Sequence, residues 1–250
     1  MENQKISEPI NKNLALICGT IIAICFIVVV AFLYNKSNSL NGNNIVVNGK
    51  PIQQQAQQPV ASSVDISKVK INGNPFVGNA NALVVIASFE DYQCPFCKKV
   101  EQEAMSQIMT DYVNTGKVKI VYKDYAFLGA DSQTLGQWAR AVWAVAPNKF
   151  GAWHKAMFDN QGQENTGWAT HEKIISITST AIGSVDANKA SQLVASNGGE
   201  YLRAMEADKA EGTSLGVNGT PGTIIGKQLI SGAQPYSAFK VAIDEILKGK

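Results

Sequence analysis

The sequence has little net charge, few histidines and few cysteines, and each shortage narrows the possible functions. Its 22 basic and 20 acidic side chains leave a net charge of +2, which gives no reason to expect nucleic acid or another strongly acidic partner. Outside an N-terminal apolar run, the sequence contains one Cys pair and two histidines, His154 and His171, as soft metal ligands. The histidines are not at zinc-finger spacing. We therefore expect no metal and no nucleic-acid partner.

Long hydrophobic runs are also scarce, with one exception. Residues 14–34 are nearly all apolar and uncharged, and about 20 such residues suffice for a helix across a bilayer. A cleavable signal peptide usually has a shorter apolar region and an A-x-A-like site, and no convincing site is present here. We predict an uncleaved signal anchor over 14–34, preceded by a short cytoplasmic segment, 1–13. The alternative is a cleaved signal that leaves a secreted protein. Cys18 and Cys25 are interpreted as small apolar residues of the anchor.

Residues 35–64 are rich in Asn, Gln, Ser, Gly and Pro and have little to bury, which predicts a disordered linker. Two lysines stand on each side of the apolar run, so charge does not set its orientation. A reactive Cys pair on a tether is most useful where protein disulfides form. We therefore predict a single-pass protein of the cell membrane whose domain, 65–250, lies outside the cytoplasm, in the periplasm or on the outer face.

The stretch Cys94-Pro95-Phe96-Cys97 is the most informative part of the chain. It follows an apolar run of strand length, 83–89, and precedes a helical pattern that starts at Pro95. A thiolate of Cys94 would be stabilised at the helix N-terminus by unpaired N–H groups and the helix dipole. Cys97, one turn further, is close enough to form a disulfide with Cys94. The spacing predicts a catalytic redox pair, with Pro95 and Phe96 setting how strongly the thiolate is stabilised.

Two other interpretations of this pair stay open. Half of a zinc site would need further ligands, which the sequence does not supply at the usual spacing. A purely structural disulfide between Cys94 and Cys97 would close so small a loop that it would constrain the unfolded chain little. The redox interpretation is favoured over both.

The hydrophobic pattern predicts an α/β domain. A strand over 83–89, a helix that starts at Pro95 and ends at 114–116, and an alternating strand over 118–123 predict a βαβ unit with a parallel pair. Further helices and strands are predicted over 135–146, 150–158, 170–181, 186–196, 199–213, 223–225, 228–230 and 235–247. Within this pattern His154 is interpreted as a packing or surface residue and His171 as a solvated residue at a helix start.

Several motifs in this order resemble the DsbA-like branch of the thioredoxin superfamily over roughly residues 70–248. They are the segments Phe89-Glu90-Asp91-Tyr92-Gln93-Cys94-Pro95-Phe96-Cys97, Val121-Tyr122-Lys123-Asp124-Tyr125, Trp153-His154-Lys155-Ala156-Met157-Phe158, Gly216-Val217-Asn218-Gly219-Thr220-Pro221 and Ile230-Ser231-Gly232-Ala233-Gln234-Pro235-Tyr236. The resemblance implies a thioredoxin fold with a helical insertion at about 130–213. It also implies a cis peptide bond between Thr220 and Pro221, which would face the Cys pair and bind an extended substrate.

The sequence departs from this family in two places. Thioredoxin-like proteins often carry a buried acid six residues before the first Cys, but that position is Ser88. Glu90 and Asp91 are nearby and are expected to lie past the strand end, so neither is assigned a proton-transfer role. Gly222 has no side chain to stiffen the turn after Pro221, which predicts a looser substrate-binding loop.

The resemblance implies an extracytoplasmic thiol–disulfide oxidoreductase that needs no cofactor beyond the Cys94–Cys97 disulfide. Its expected partners are cysteine-containing exported polypeptides and a membrane or soluble redox partner that recycles the pair. We expect an oxidase that introduces disulfides. A reductase or isomerase of the same fold and a non-catalytic peptide-binding envelope module are the alternatives. A peroxidase or glutathione transferase on a related fold would need its own substrate pocket, and no sequence feature requires one.

Overall fold

The computed structural model describes residues 62–249, without the side chains of Ser62 and Ser63. The predicted cytoplasmic segment, the predicted anchor over 14–34 and most of the predicted linker lie outside the described residues. Within the part of the chain that is described, no helix combines the length and the apolar character that a membrane span requires.

One mixed sheet organises the described residues. Its strands are β1 (Ser62–Ser63), β2 (Phe76–Gly78), β3 (Val84–Glu90), β4 (Val118–Asp124), β5 (Gly222–Ile225) and β6 (Gln228–Ser231). Their order across the sheet is β1-β6-β5-β3-β4-β2. β3 and β4 pair in parallel, while the other four pairings are antiparallel. The central strand β3 is largely buried, as its continuous apolar sequence predicts.

The βαβ unit that contains the Cys pair is confirmed. Helix α1 covers 95–113 in four consecutive segments, Pro95–Val100, Glu101–Met105, Ser106–Ile108 and Met109–Val113, of which the second and fourth have π-type spacing. Val100, Ala104, Ile108 and Tyr112 of this helix are all buried, because their spacing places them on one face. That face packs into the main core, so the N-terminus of α1 is held at the end of β3.

Four helices stand between β4 and β5. They are α2 (Ala130–Val145), α3 (Phe150–Asp159), α4 (His171–Ile182) and α5 (Ser184–Ser214). The prediction of two helices over 186–196 and 199–213 is wrong, since α5 is continuous. At Gly198 the backbone oxygen accepts a hydrogen bond from Gln137 Nε2 at 2.9 Å, and a Cβ on Gly198 would lie 3.0 Å from that nitrogen. The glycine therefore permits a close contact with α2 instead of ending the helix. The predicted β5–β6 hairpin and the last helix, α6 (Tyr236–Lys248), are confirmed.

The insertion is joined to the sheet by apolar packing and by buried charges. The largest fully buried side chains include Trp138, Trp153, Phe150 and Phe158, which lie in the main hydrophobic cluster with residues of β3 and β4. A set of ion pairs connects β4 and α2 to α5: Lys123 pairs with Asp208 and Glu211, and Arg140 pairs with Asp124 and Asp208. Removing one partner of such a buried set lowers the free energy of unfolding far more than removing a surface ion pair does. The helices of the insertion are thus fixed beside the βαβ unit.

Candidate active site

Cys94 is the N-cap residue of α1, and Pro95 occupies the first helical turn, as the sequence predicts. Cys94 and Cys97 are both free thiols and are 4% and 3% exposed. In its thiol form, Cys94 donates a hydrogen bond from Sγ to the backbone oxygen of Thr220 at 3.4 Å. Residues 126 positions apart therefore meet at the first sulfur of the pair.

The two thiols have opposite acidities. The pKa of Cys94 is lowered to about 6, chiefly by the hydrogen bond from the Cys97 thiol. Burial opposes this shift, while the Thr220 hydroxyl and the backbone N–H groups of Cys97 and Phe96 add to it. Burial is the largest cause that raises the pKa of Cys97 well above its ordinary value, followed by the hydrogen bond to Cys94 and the charge of Glu90. At neutral pH the pair therefore consists of one thiolate, at Cys94, and one thiol, at Cys97.

The loop that contacts Cys94 contains the cis peptide bond between Thr220 and Pro221 that the resemblance implies. The hydroxyl oxygen of Thr220 is buried and has no hydrogen-bond partner of ordinary geometry among the described residues, but it is close enough to Cys94 to help lower the pKa of that thiol. Gly222 begins β5, and a Cβ there would lie only 2.7 Å from Cγ1 of Val217. The missing side chain at Gly222 thus allows close packing against Val217, whereas the looser loop expected from the sequence stays a prediction.

Asp91 connects the loop before Cys94 to the insertion. Its side-chain oxygens accept hydrogen bonds from the backbone N–H groups of Gln93, Phe127 and Leu128 at 2.8, 2.9 and 3.1 Å. Its backbone oxygen accepts from the N–H of Cys94 at 3.0 Å. A buried carboxylate with several donors is well satisfied and holds its donors in place. Asp91 therefore positions both the Cys pair and the loop after β4.

Two aromatic side chains near this loop are open to solvent. Phe96, between the two cysteines, is 60% exposed, and Phe127, whose N–H is bound by Asp91, is 46% exposed. Large exposed aromatic side chains are typical of surfaces that contact other polypeptides. Phe96 was predicted as part of the site from the sequence, but Phe127 was not, because an aromatic residue after a strand has no pattern that distinguishes it from a core residue.

A buried charged cluster lies behind the pair, and the sequence interpretation missed it. Glu90 is the last residue of β3, not past the strand end, and its Oε1 atom accepts a hydrogen bond from Ser88 Oγ at 2.5 Å. His154 is 1% exposed; its Nε2 lies 2.9 Å from Oε2 of Glu90 and its Nδ1 lies 3.7 Å from Oε2 of Glu101. Burial opposes the imidazolium form, but the charges of Glu101 and Glu90 outweigh it and raise the pKa of His154 to about 10. His154 is therefore buried, but the interpretation as a packing or surface residue did not predict that its imidazole is charged.

Comparisons with known proteins agree with this fold and site. A family model described as thioredoxin matches residues 70–245. The chain belongs to the thioredoxin family. Disulfide bond formation protein D of Bacillus subtilis (strain 168) is 26% identical over 184 residues, which cover 72% of this chain and 80% of that protein.

Solved structures place the chain more closely within the family. Oxidised BdbD from Bacillus subtilis has a TM-score of 0.65 at 22% identity, covering 75% of this chain and 98% of that chain. The thiol-disulfide exchange protein α-DsbA2 from Wolbachia pipientis has a TM-score of 0.62 at 26% identity, covering 72% of this chain and 90% of that chain. The predicted thioredoxin fold with a helical insertion is confirmed, and so is the resemblance to DsbA-like thiol–disulfide oxidoreductases.

Proposed function

We propose that this protein is an extracytoplasmic thiol oxidase that introduces disulfides into exported polypeptides through Cys94 and Cys97. One observation carries the proposal: the pKa of Cys94 is lowered to about 6 in the reduced pair. A stabilised thiolate stabilises the reduced form of the enzyme, and an enzyme whose reduced form is stabilised is a stronger oxidant of its substrates. The name of the Bacillus subtilis relative, a disulfide bond formation protein, supports the same direction.

The reaction follows from the two acidities. A substrate thiolate attacks Sγ of Cys94 in the Cys94–Cys97 disulfide, and Cys97 leaves with the bonding electron pair and takes up a proton from solvent. The second substrate thiolate then attacks the substrate sulfur of the mixed disulfide, and Cys94 leaves as a thiolate. The substrate gains one disulfide, and the enzyme ends with one thiolate and one thiol. A separate redox partner must then remove two electrons and the Cys97 proton to restore the disulfide.

Substrate binding is assigned to the surface around Cys94. The backbone of Thr220 is in contact with the sulfur, and we propose that Thr220 and Pro221 align an extended substrate segment beside it. The exposed ring of Phe96, between the two cysteines, is proposed to provide apolar contact with the substrate. Together with Pro95, Phe96 also sets the local environment of the thiolate, so substitutions at these two positions are proposed to change the reduction potential.

The location is part of the proposal. The uncharged apolar run over 14–34 has the length of a membrane span, and we propose that it anchors the enzyme with its catalytic domain outside the cytoplasm. The polar segment over 35–64 would then act as a tether of roughly 30 Å root-mean-square length. Cleavage of the run as a signal peptide would instead release the domain, and the mass of the mature protein distinguishes the two.

The test is the oxidation of a reduced, unfolded substrate protein by the full-length chain, together with the equilibrium reduction potential of the pair. An oxidase is expected to form disulfides stoichiometrically, to lose this activity in Cys94→Ser, and to have a potential near the oxidising end of the known range, about −120 mV. A potential near that of thioredoxin, about −270 mV, would indicate a reductase instead. Substrate binding without any thiol exchange would indicate the non-catalytic peptide-binding module.

A further inference from the structure

The charged cluster behind the Cys pair consists of Glu90, His154 and Glu101, which are named here the buried triad. The side chains of Glu90 and Glu101 are 9% and 11% exposed and that of His154 is 1% exposed. Two glutamates and one imidazolium leave a net charge of −1. Burying charged groups is costly and adds little to stability compared with apolar packing, so a buried and incompletely compensated set calls for another explanation.

The triad is also incompletely hydrogen-bonded. The Nδ1 atom of His154 and the Oε2 atom of Glu101 face each other at 3.7 Å, and neither has a hydrogen-bond partner within the described residues. Tyr92 and Tyr122 pack against the imidazole, with ring centroids 5.5 and 4.1 Å away. Burial raises the pKa of both phenols well above the ordinary value, so neither ring adds charge at neutral pH. The nearest other charges are Lys123 and Asp124 of β4, which line the same small cavity as Glu90 and are paired with residues of α5 and α2.

The position of the triad relates it to Cys97. Glu90 ends the strand that leads to the pair. Glu101 follows Cys97 by four residues, which places the side chains of Glu101 and Cys97 on the same face of α1. Both of these side chains are turned into the protein. Glu101 is thus one helical turn beyond the second cysteine, whereas the first cysteine faces Thr220. Burial is the largest cause that raises the pKa of Cys97, and its hydrogen bond to Cys94 and the negative charge of Glu90 raise it further.

We propose that the buried triad adds to burial in holding Cys97 in its thiol form, and so helps to protect the mixed disulfide between Cys94 and a substrate from being cleaved by Cys97. This role rests on the proposed function. Only a thiolate attacks a disulfide. If Cys97 were a thiolate, it would attack Cys94 Sγ, expel the substrate thiolate and restore the enzyme disulfide without product. As a thiol, Cys97 leaves the mixed disulfide intact until the second substrate thiolate attacks the substrate sulfur and releases Cys94.

In this scheme the three residues are positioning residues with distinct effects. Glu90 supplies the charge that opposes the Cys97 thiolate. His154 fixes the Glu90 carboxylate and compensates part of its charge, while Glu101 keeps His154 protonated. A merely structural cluster would affect stability when altered, but it would not shift the acidity of one thiol in opposite directions according to the sign of the charge removed.

The test measures the acidity of Cys97 in the full-length chain with Cys18 and Cys25 replaced by Ala and with Cys94→Ser, so that Cys97 is the single thiol. The thiolate absorbance is followed against pH. Glu90→Gln is expected to lower the pKa of Cys97, because it removes a negative charge, and His154→Gln is expected to raise it, because it removes a positive one. Glu103→Gln, on the exposed face of the same helix, is the matched control and should leave the pKa unchanged.

The kinetic test uses the same background with Cys94 restored and loaded as a mixed disulfide with 5-thio-2-nitrobenzoate. Release of the coloured thiol at neutral pH reports attack by Cys97. Glu90→Gln is expected to release it about tenfold faster, since each unit of pKa changes the thiolate fraction tenfold, and His154→Gln to release it more slowly. His154→Gln, whose expected shift has the opposite sign, keeps the test decisive should Glu90→Gln fail to fold.

The outcomes separate this proposal from the proposed function. An unchanged Cys97 pKa in Glu90→Gln, or shifts of the same sign in Glu90→Gln and His154→Gln, would overturn the role of the triad even if the wild type is a good oxidase. Conversely, the absence of Cys94-dependent thiol exchange in the wild type would refute the proposed oxidase function, whatever the pKa of Cys97.

Discussion

The hydroxyl of Ser132 donates a hydrogen bond to Oδ1 of Asp91 at 2.6 Å. Asp91 lies between β3 and the Cys pair, and Ser132 lies in the first turn of α2, so this bond links the loop before Cys94 to the insertion across 41 residues. Both residues are 1% exposed. Gln93 strengthens the link, since its Nε2 atom donates to the Ser132 hydroxyl at 2.9 Å and to the Leu128 oxygen at 2.7 Å.

Ser132→Ala is expected to destabilise the protein by about 1–3 kcal/mol, because the buried Asp91 carboxylate loses one of its donors without gaining water. Chemical unfolding of the full-length chain measures this loss. Ser176→Ala, at an exposed position of α4, is the control and should change the unfolding free energy by less than about 0.5 kcal/mol. Equal effects of the two substitutions would show that the Asp91–Ser132 bond contributes nothing to stability.

The reactivity of Cys94 should depend on pH with a midpoint near its pKa of about 6. Because the pKa is lowered, the reactive thiolate is present above this pH and is lost as the pH falls through it. Alkylation of the reduced protein, followed by mass spectrometry of the peptide that contains Cys94, measures the midpoint. Cys97→Ala should move it upward, since the hydrogen bond from the Cys97 thiol is the largest cause of the lowered pKa.

Gln107→Ala serves as the control for that measurement, because Gln107 is exposed in the middle of α1 and its side chain contacts neither sulfur. It should leave the midpoint where it is. A Cys94 midpoint in Cys97→Ala equal to that of the wild type would mean that the Cys97 thiol does not contribute to stabilising the thiolate.

Two glycines of α5 should respond to alanine in opposite directions. A Cβ on Gly212 would lie 2.8 Å from ring carbons of Phe89 in β3, so Gly212→Ala should destabilise the fold by about 1–3 kcal/mol through overpacking. Gly199 is exposed, and its nearest neighbour would be 3.8 Å away, so Gly199→Ala should stabilise the helix by about 0.5–1 kcal/mol. Thermal unfolding of the two variants measures both changes in stability. Stabilisation by both would show that α5 can shift away from β3 without loss.

The agreement between sequence and structure is best where the signal is local. The strand before the pair, the start of α1 at Pro95 and the βαβ unit were predicted correctly, because burial pattern, capping and proline geometry act over a few residues. The single helix over Ser184–Ser214 was instead predicted as two helices, because Gly198 and Gly199 near its centre have low helix propensity. Gly198 is tolerated within the helix because it contacts Gln137 of α2, and this contact cannot be predicted from the neighbouring residues in the sequence.

The sequence alone determined the chemistry of this protein: two thiols one helical turn apart, the first at a helix N-terminus that stabilises a negative charge. It did so because thiol spacing and helix capping are properties of a few consecutive residues. Only the tertiary structure decided which groups surround each sulfur. Thr220 reaches Cys94, and His154 lies between Glu90 and Glu101, through packing of segments more than 50 residues apart. Such contacts are fixed by how the helices pack on the sheet, so the different environments of the two cysteines emerge only when the chain is folded.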